Sequence, residues 1–377
     1  MKNSYDAAII GGGLAGLALS IQLSKLGYSV VLFEKEKYPF HKVCGEYISR
    51  ESWDFLERLG IDLKSLDVST ISHLQISSVN GKILEQKLPL GGFGISRFRL
   101  DHELSKIARD AGVIIEEETK VTDVVFDQLN FIINAGHNVY KVKLAFGSFG
   151  KRSNLDIKWR RGFVTAQKNK LNNYIGVKYH IRSGFPSNTI ALHSFPGGYC
   201  GIVKIEADKY NLCYLTTAGN LIACGNNIKE MERTILAKNP HLKKIWEESV
   251  FLDDTQSTIS QISFDKKSQV EEHMLMIGDA AGMITPLCGN GMSMALHGSK
   301  LACEEAVHFL HGQITRDEME NNYTMQWQHH FAGRLKSGRM IQRLFGNNPA
   351  TNLIIGLARV FPSISRFVIK QTHGKPF

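Results

Sequence analysis

The chain has few cysteines and no long apolar run, and each absence excludes a class of protein. Its six cysteines are scattered and form no Cys-x-x-Cys pair, so we expect neither a metal site nor a redox-active disulfide. No apolar stretch approaches the roughly 18 residues of a membrane-spanning helix. The first apolar segment begins almost at the N-terminus and leaves no room for a signal peptide. We therefore expect a cytoplasmic protein, and its length predicts about two domains.

Acidic residues are missing from the C-terminal segment 321–377, which contains eight Lys and Arg residues. The formal net charge of the whole chain is +9, so nearly all of the excess positive charge lies in this basic tail. Apolar residues, among them Phe345, Leu353, Ile354 and Phe361, alternate with the basic ones. Two interpretations stay open: a surface that contacts an anionic ligand or the inner face of a membrane, and a solvated helix that packs on the body of the protein. Nucleic-acid binding is disfavoured, because no recognition module accompanies the charge.

A glycine-rich turn near the N-terminus is the first positive signal. An apolar strand leads into Gly11, Gly13 and Gly16, and a helix follows. These glycines allow a tight turn, a close approach of pyrophosphate to the backbone, and close packing of the helix on the strand. Glu34 ends the next apolar strand, where its carboxylate can accept hydrogen bonds from ribose. The pattern predicts a dinucleotide site, with Leu14, Ala15 and Lys35 as further cofactor contacts.

A second motif far downstream indicates which dinucleotide is bound. Gly278 and Asp279 follow an apolar strand, and Pro286, Gly289 and Gly291 come after them. The Asp carboxylate can accept hydrogen bonds from the ribityl hydroxyls of FAD. The glycines let the backbone run along the flavin edge. The N-terminus of the following helix favours negative charge on the reduced ring. We predict FAD, held without a covalent bond.

Together these motifs resemble the glutathione-reductase-type flavoproteins of the aromatic-hydroxylase superfamily, and within it the geranylgeranyl reductase family. Segment 42–46 resembles the Cys-Gly-Glu loop of that family, segment 97–101 resembles its Arg-x-x-Phe-Asp helix start, and segment 278–292 matches almost position for position. The resemblance covers residues 1–310. It implies an α/β fold with a Rossmann-like FAD-binding domain, a second sheet-containing substrate domain and a helical C-terminal tail. It also implies cofactor contacts from Cys44, Gly45, Arg97, Val121 and Met292.

The order of predicted elements divides the chain into three parts. The FAD-binding domain takes residues 1–70, 95–160 and 266–310, the substrate domain takes 71–94 and 161–265, and the basic helical region takes 311–377. We also predict a glycine-containing loop at 145–153 and a long helix at 291–310.

Cys44 and Glu46 are the candidate catalytic residues, and each has a second interpretation. The Cys44 thiol can contact the substrate or tune the flavin, or it can pack against the ring as a small apolar side chain. Glu46 can relay a proton or orient its loop. The sequence leaves both pairs of alternatives open.

Two departures from the related families affect the predicted chemistry. Phe146 stands where hydroxylases carry an Asp that helps to bind the nicotinamide donor, which disfavours a standard NADPH-dependent hydroxylation. Gly201 stands where the reductase family carries a Trp, although Tyr199 is kept. We therefore expect a groove of different shape, with Tyr199 and Gly201 as candidate substrate contacts. No Trp-x-Trp-x-Ile-Pro sequence is present, which argues against a tryptophan halogenase.

The chain contains no second strand–Gly-x-Gly-x-x-Gly–helix unit, so electrons have to come from a separate donor, either NAD(P)H or a small redox protein. The sequence predicts an FAD-dependent oxidoreductase that reduces carbon–carbon double bonds of an apolar or lipid-like substrate. Two alternatives are a flavin monooxygenase of aromatic or polyketide-like substrates and a non-catalytic binding protein of the prenyl-carrier type.

Overall fold

The computed structural model describes residues 4–165, 172–252, 256–285, 287, 289–344, 351–352, 355–356 and 374–377. Its strands are β1 (Ser4–Ile10), β2 (Val30–Phe33), β3 (Tyr47–Ser49), β4 (Ser69–Ser77), β5 (Ile83–Gly94), β6 (Ile114–Glu116), β7 (Val121–Phe126), β8 (Phe131–Ala135), β9 (Asn138–Gly147), β10 (Asn172–Arg182), β11 (Thr189–Phe195), β12 (Gly198–Lys204), β13 (Tyr210–Thr217), β14 (Val250–Phe251), β15 (Ser257–Ser263), β16 (Val270–Glu271) and β17 (Met274–Met276). Its α-helices are α1 (Leu14–Lys25), α2 (Trp53–Leu59), α3 (Arg97–Asp110), α4 (Asn154–Lys158), α5 (Gly162–Thr165), α6 (Ala218–Ala223), α7 (Ile228–Thr234), α8 (Pro240–Glu248), α9 (Gly291–Leu310) and α10 (Arg316–Leu344).

The first sheet is the predicted Rossmann-like sheet. Its strand order is β16-β17-β9-β1-β2-β6, and β1 pairs in parallel with β2 and β9. β2 is buried along its whole length, as expected for a parallel strand that is covered on both faces. β7, β8 and β9 form an antiparallel meander at one side. This arrangement brings the ends of β1, β9 and β17 together, and the glycine turn and the Gly278–Asp279 motif follow two of these strands.

The second sheet has nine strands in the order β14-β10-β13-β12-β11-β4-β5-β3, with β15 also paired to β10. Along β12, Cys200 and Ile202 belong to a core shared with residues of α7 and α8. Tyr199 alternates with them and joins a different apolar cluster, which includes Met283 and Leu287 from the segment after Asp279. One face of the sheet is therefore covered by helices, and the other faces the predicted FAD-binding domain.

The loop predicted at 145–153 is wrong in its first part. β9 continues to Gly147, where it pairs with Ile10 of β1 and Met276 of β17. A side chain on Gly147 would meet the Met276 sulfur and the Phe149 ring. The glycine is needed for packing between strands, and it does not mark the start of a loop.

The basic tail begins as a continuous helix that packs on the body. Tyr323, Trp327, Phe331 and Leu335 lie four residues apart on α10 and are buried in the first core. For this part of the tail, the structure agrees with the packed-helix interpretation. Phe345, Leu353, Ile354 and Phe361 lie outside the described residues. Among the residues that are described, no helix combines the length and the apolar character needed to cross a bilayer.

Candidate FAD site and substrate face

In the glycine turn after β1, backbone carbonyls lie so close to Gly11 and Gly16 that they leave no room for side chains. A Cβ atom on Gly11, whose φ is +107°, would collide with the Ser148 carbonyl, and one on Gly16 would collide with the Gly11 carbonyl. A Cβ on Gly13 would instead have only two neighbours, Arg97 Nη2 at 3.7 Å and Lys42 Nζ at 3.9 Å. Gly13 thus leaves space beneath two cations, as a bound pyrophosphate requires.

The two cations above Gly13 share one carboxylate. Arg97 donates two hydrogen bonds of 2.7 Å to Asp101, and Lys42 donates one of 3.1 Å. Burial raises the pKa of Asp101, but Arg97 and then Lys42 outweigh it and hold that pKa below its ordinary value. Two positive charges and one negative charge leave the cluster of Arg97, Lys42 and Asp101 net positive. The sequence predicted Arg97 but missed Lys42, although Lys42 begins the motif that contains Cys44.

Glu34 supports the turn from the other side. Its Oε2 accepts a hydrogen bond of 2.9 Å from the Gly12 N–H, and its Oε1 accepts one of 3.2 Å from the Glu36 N–H. The Tyr38 hydroxyl donates to the Gly12 carbonyl at 2.5 Å and occupies the space where a Gly12 side chain would lie. Each Glu34 oxygen keeps a second acceptor direction for a ribose hydroxyl. Tyr38 is a site residue that the sequence analysis missed.

Four further predicted contacts lie around this turn. Leu14 and Ala15 are buried in the first turn of α1, and Val121 is the buried first residue of β7. The Lys35 side chain is 69% exposed and lies 3.7 Å from the Glu36 carboxylate. Their contacts with FAD remain predictions.

Asp279 is the strongest sign that the site fits FAD. Gly278 has a φ of +59°, and residues 278–280 form a single helical turn directly after β17. Burial raises the pKa of Asp279, while Lys267, Arg97 and Lys151 lower it less. Within the described part of the chain, no side chain or N–H donates a hydrogen bond to its carboxylate. A half-buried carboxylate without donors from these residues is free to accept hydrogen bonds, and the ribityl hydroxyls of FAD would supply them.

The second half of this motif leads into α9. Gly289 has a φ of +64°, and a side chain there would press on the Tyr47 ring. α9 begins at Gly291, as predicted, and Met292 is buried in its first turn. The first N–H groups of this 20-residue helix have no partners within the helix and can face a flavin ring. Pro286, the remaining predicted contact, lies outside the described residues.

Glu46 is fully buried, and the structure favours a loop-holding role for it. Its carboxylate accepts hydrogen bonds from Lys178 Nζ at 2.5 Å, His180 Nε2 at 2.8 Å and the Arg97 N–H at 2.9 Å. Burial raises the pKa of Glu46, but Lys178 and His180 outweigh it, so the pKa lies below its ordinary value. The carboxylate is therefore charged and already occupied. Lys178 and His180 stand two residues apart on β10 and so share one face of the strand, and the sequence analysis missed this pair.

Cys44 lies in the same loop, and its carbonyl accepts a hydrogen bond of 3.1 Å from Asn211. Burial raises the pKa of the Cys44 thiol, and the nearby Arg97 lowers it less. The thiol is thus protonated at neutral pH, which favours the interpretation as a small apolar side chain over that of a reactive thiolate. Gly45 is exposed, and a Cβ there would meet no atom within 4 Å.

The candidate substrate residues lie on the face of the second sheet that is turned toward Asp279. Tyr199 is buried among Leu215, Met283 and Leu287. A Cβ on Gly201 would make only ordinary contacts, the nearest with Leu192 at 3.5 Å. The cluster around Tyr199 is apolar, with room at Gly201. Phe146, which replaces the Asp of hydroxylases, is buried inside β9.

The parallel sheet, the glycine turn and the unpaired Asp279 carboxylate together define a dinucleotide-binding fold of the flavoprotein class. Comparison with known proteins agrees with this class. Residues 4–130 match the FAD binding domain family. Conditioned medium factor receptor 1 of Dictyostelium discoideum is 25% identical over 326 residues, 80% of this chain. The chain spans only 63% of the length of that relative.

Two further relatives have different reactions in their names. Digeranylgeranylglycerophospholipid reductase of Methanosarcina acetivorans is 24% identical over 345 residues, which are 87% of this chain and 81% of the relative. The structure of the flavin-dependent brominase Bmp2 has 20% sequence identity and a TM-score of 0.78, over 98% of this chain and 93% of that one.

These findings confirm the predicted resemblance. Residues 4–130 match an FAD binding domain, and the chain is similar in sequence to a digeranylgeranylglycerophospholipid reductase and in fold to a flavin-dependent brominase. They also confirm the predicted two-sheet α/β fold, and they support the predicted class, the FAD-dependent oxidoreductases, as a proposal. The individual cofactor and substrate contacts remain predictions.

Proposed function

We propose that this protein reduces carbon–carbon double bonds of an apolar, lipid-like substrate. The observation that carries the proposal is the apolar cluster of Tyr199, Leu192 and Leu215 on the second sheet, which packs with Met283 and Leu287 from the segment after Asp279. Such a cluster suits a hydrocarbon chain.

In this proposal, FAD supplies the hydride chemistry when it is bound. The protein binds the dinucleotide through Gly13, Arg97 and Lys42, and it accepts hydrogen bonds at Asp279. Glu46 holds the loop that carries Cys44 beside the ring. The buried face on β12 keeps water from the reacting carbons.

The test uses the full chain loaded with FAD, dithionite as the reductant and a phospholipid with geranylgeranyl chains, without oxygen. Mass spectrometry should show lipid that has gained two hydrogens per reduced double bond. Gly201→Trp should fill the groove and lower this saturation at least tenfold while FAD stays bound. Gly184→Trp is the matched control, because Gly184 is an exposed glycine of the same sheet region with no atom within 4 Å of its Cβ. Unchanged lipid with fully reduced wild-type protein would overturn the proposal.

Oxygen chemistry is the second candidate function, and the similarity to the Bmp2 brominase over nearly the whole chain favours it. The same preparation, given oxygen and bromide with an aromatic or polyketide-like substrate, would then yield a brominated or hydroxylated product. The prenyl-carrier alternative predicts instead that lipid binds to protein that holds no FAD.

The electron donor is a separate proposal. NAD(P)H and a small redox protein are the two candidates, since the chain has no second dinucleotide unit. Anaerobic mixing with NADH, NADPH or a reduced ferredoxin, followed through the loss of flavin absorbance, separates them.

A further inference from the structure

Three consecutive carbonyls of the Asp279 turn are each held by a different buried side chain. Lys267 Nζ donates to the Asp279 carbonyl at 2.8 Å, Arg161 Nη2 donates to the Ala280 carbonyl at 3.1 Å, and Gln269 Nε2 donates to the Ala281 carbonyl at 3.1 Å. Lys267, Arg161 and Gln269 are 9%, 2% and 7% exposed. We call these three side chains the turn bracket.

The turn bracket also ties the turn to its surroundings. Lys267 Nζ donates a second hydrogen bond, of 2.7 Å, to the carbonyl of Lys151, which lies in the segment after β9. Arg161 pairs with Asp156 at 2.8 Å and donates to the Ser268 carbonyl at 2.9 Å. The segments that follow β9 and β17 are therefore joined beside the cofactor site.

Within the turn, the turn bracket donates only to backbone carbonyls and not to the Asp279 carboxylate. Every carbonyl from Asp279 to Ala281 accepts a side-chain donor, whereas the Asp279 carboxylate accepts none from the described residues. A turn whose backbone is held by side chains and whose carboxylate is half-buried is the geometry expected of an acceptor that is held ready for hydroxyl donors of a ligand.

Lys267 is the member of the turn bracket whose burial costs folding free energy. Its buried ammonium contacts neutral carbonyls and lies 4.4 Å from the centre of the Phe163 ring. Burial lowers the pKa of Lys267 to about 8; Asp279 and Asp156 raise it, and Arg161 and Lys151 lower it further. Such a cation costs folding free energy, and packing alone does not explain its presence.

We propose that Arg161, Lys267 and Gln269 are positioning residues that fix the Asp279 carboxylate for the ribityl hydroxyls of FAD, and that the charge of Lys267 strengthens the binding of this anionic cofactor. The proposal rests on FAD as the cofactor and is independent of the substrate and of the reaction.

The test measures FAD affinity of the full-length apoprotein by the change in flavin fluorescence. Lys267→Met should weaken FAD binding at least tenfold, and Gln269→Leu, which removes only a neutral donor, should weaken it less. Lys25→Met is the matched control, because Lys25 also donates to two carbonyls, those of Leu59 at 3.0 Å and Arg58 at 3.3 Å, away from the cofactor site. The control should bind FAD like the wild type.

A pH profile separates the charge of Lys267 from its packing. As the pH rises from about 7 to about 9, the folded protein loses the Lys267 charge, so wild-type affinity should fall. Lys267→Arg, which keeps its charge in this range, should bind FAD and show a shallower fall. Burial also lowers the pKa of Lys151 to about 8, so Lys151→Met gives the share of the fall that this neighbour causes. Equal affinity of Lys267→Met and Lys25→Met, or identical profiles for wild type and Lys267→Arg, would overturn the proposal.

Discussion

Asp279 should have opposite effects on the apoprotein and on its complex with FAD. Burial raises its pKa in the folded state, so the carboxylate adds stability only at low pH, and this is lost as the pH rises through the folded pKa. Asp279→Asn removes this charge. We expect apoprotein that is more stable at neutral pH, and FAD affinity at least tenfold weaker.

Thermal unfolding of the apoprotein and FAD titration measure the two effects of Asp279→Asn separately. The opposite pattern, a less stable apoprotein that still binds FAD tightly, would mean that Asp279 is a structural residue only.

For Glu46, the expected dependence of stability on pH is opposite to that of Asp279. Its pKa is lowered in the folded state, so its contribution to stability is present at neutral pH and is lost as the pH falls through the folded pKa. Glu46→Gln leaves the Lys178 ammonium buried without its carboxylate. We expect a loss of about 3 kcal/mol in the free energy of unfolding.

Urea unfolding tests the Glu46 prediction, with Lys178→Met as the second change. If the pair is structural, Glu46→Gln combined with Lys178→Met should be more stable than Glu46→Gln alone, because no unpaired charge remains. A single variant as stable as the wild type would contradict the loop-holding role and return Glu46 to the candidate proton carriers.

At the scale of elements, α10 supports the cofactor motif from outside. The Trp327 ring packs on Gly282, where a Cβ would lie 2.7 Å from its Cη2 atom. Trp327→Ala should cost about 3 kcal/mol through the cavity that it leaves, and it should also weaken FAD binding because Gly282 lies in the segment after Asp279.

Met325 provides the matched control for Trp327, since it lies on the same helix and is 62% exposed. Met325→Ala should change neither the urea midpoint nor FAD affinity. Equal effects of the two substitutions would show that α10 does not support the site through Trp327.

The helices and strands also differ in how well the sequence predicts their part of the site. The turn at Gly11–Gly16 and the start of α9 at Gly291 were predicted, because their signals lie within a few adjacent residues. The turn bracket was not predicted, because Arg161 meets Ala280 across 119 positions and Lys267 meets Lys151 across 116. Such pairs carry no local pattern. Gly147 was misread for a related reason, since the contact that excludes its side chain comes from another strand.

At the scale of the whole molecule, one loop joins the two sheets at the site. Glu46 precedes β3 of the second sheet, binds Lys178 and His180 on β10 of that sheet, and accepts a hydrogen bond from the first residue of α3. The cofactor cations and the substrate face thus share one rigid connection. Sequence motifs predict the cofactor cations and the substrate residues at the two ends of this connection. They do not predict the hydrogen bonds of Glu46 that link them.

The charge distribution of the whole chain gives the last prediction, which concerns the basic tail. Arg334, one of its eight cations, lies 3.5 Å from the buried Glu51 carboxylate, so it supports the body of the protein. Arg366 and Lys370 lie outside the described residues, and their role is proposed from sequence alone. We propose that this part of the tail binds an anionic membrane, with about 1 kcal/mol for each engaged basic residue.

Co-sedimentation with vesicles tests this membrane proposal. The protein should pellet with anionic vesicles but not with neutral ones, and salt should weaken the binding because it screens the charges. Arg366→Glu with Lys370→Glu should abolish pelleting. Lys243→Glu with Lys244→Glu makes the same change in charge at two exposed side chains of α8 and should leave pelleting unchanged, since the body of the protein is not expected to contact the lipid. Equal loss in both double variants would mean that net charge alone drives binding, and negligible pelleting of the wild type with both lipids would leave the tail as a packed and solvated helix.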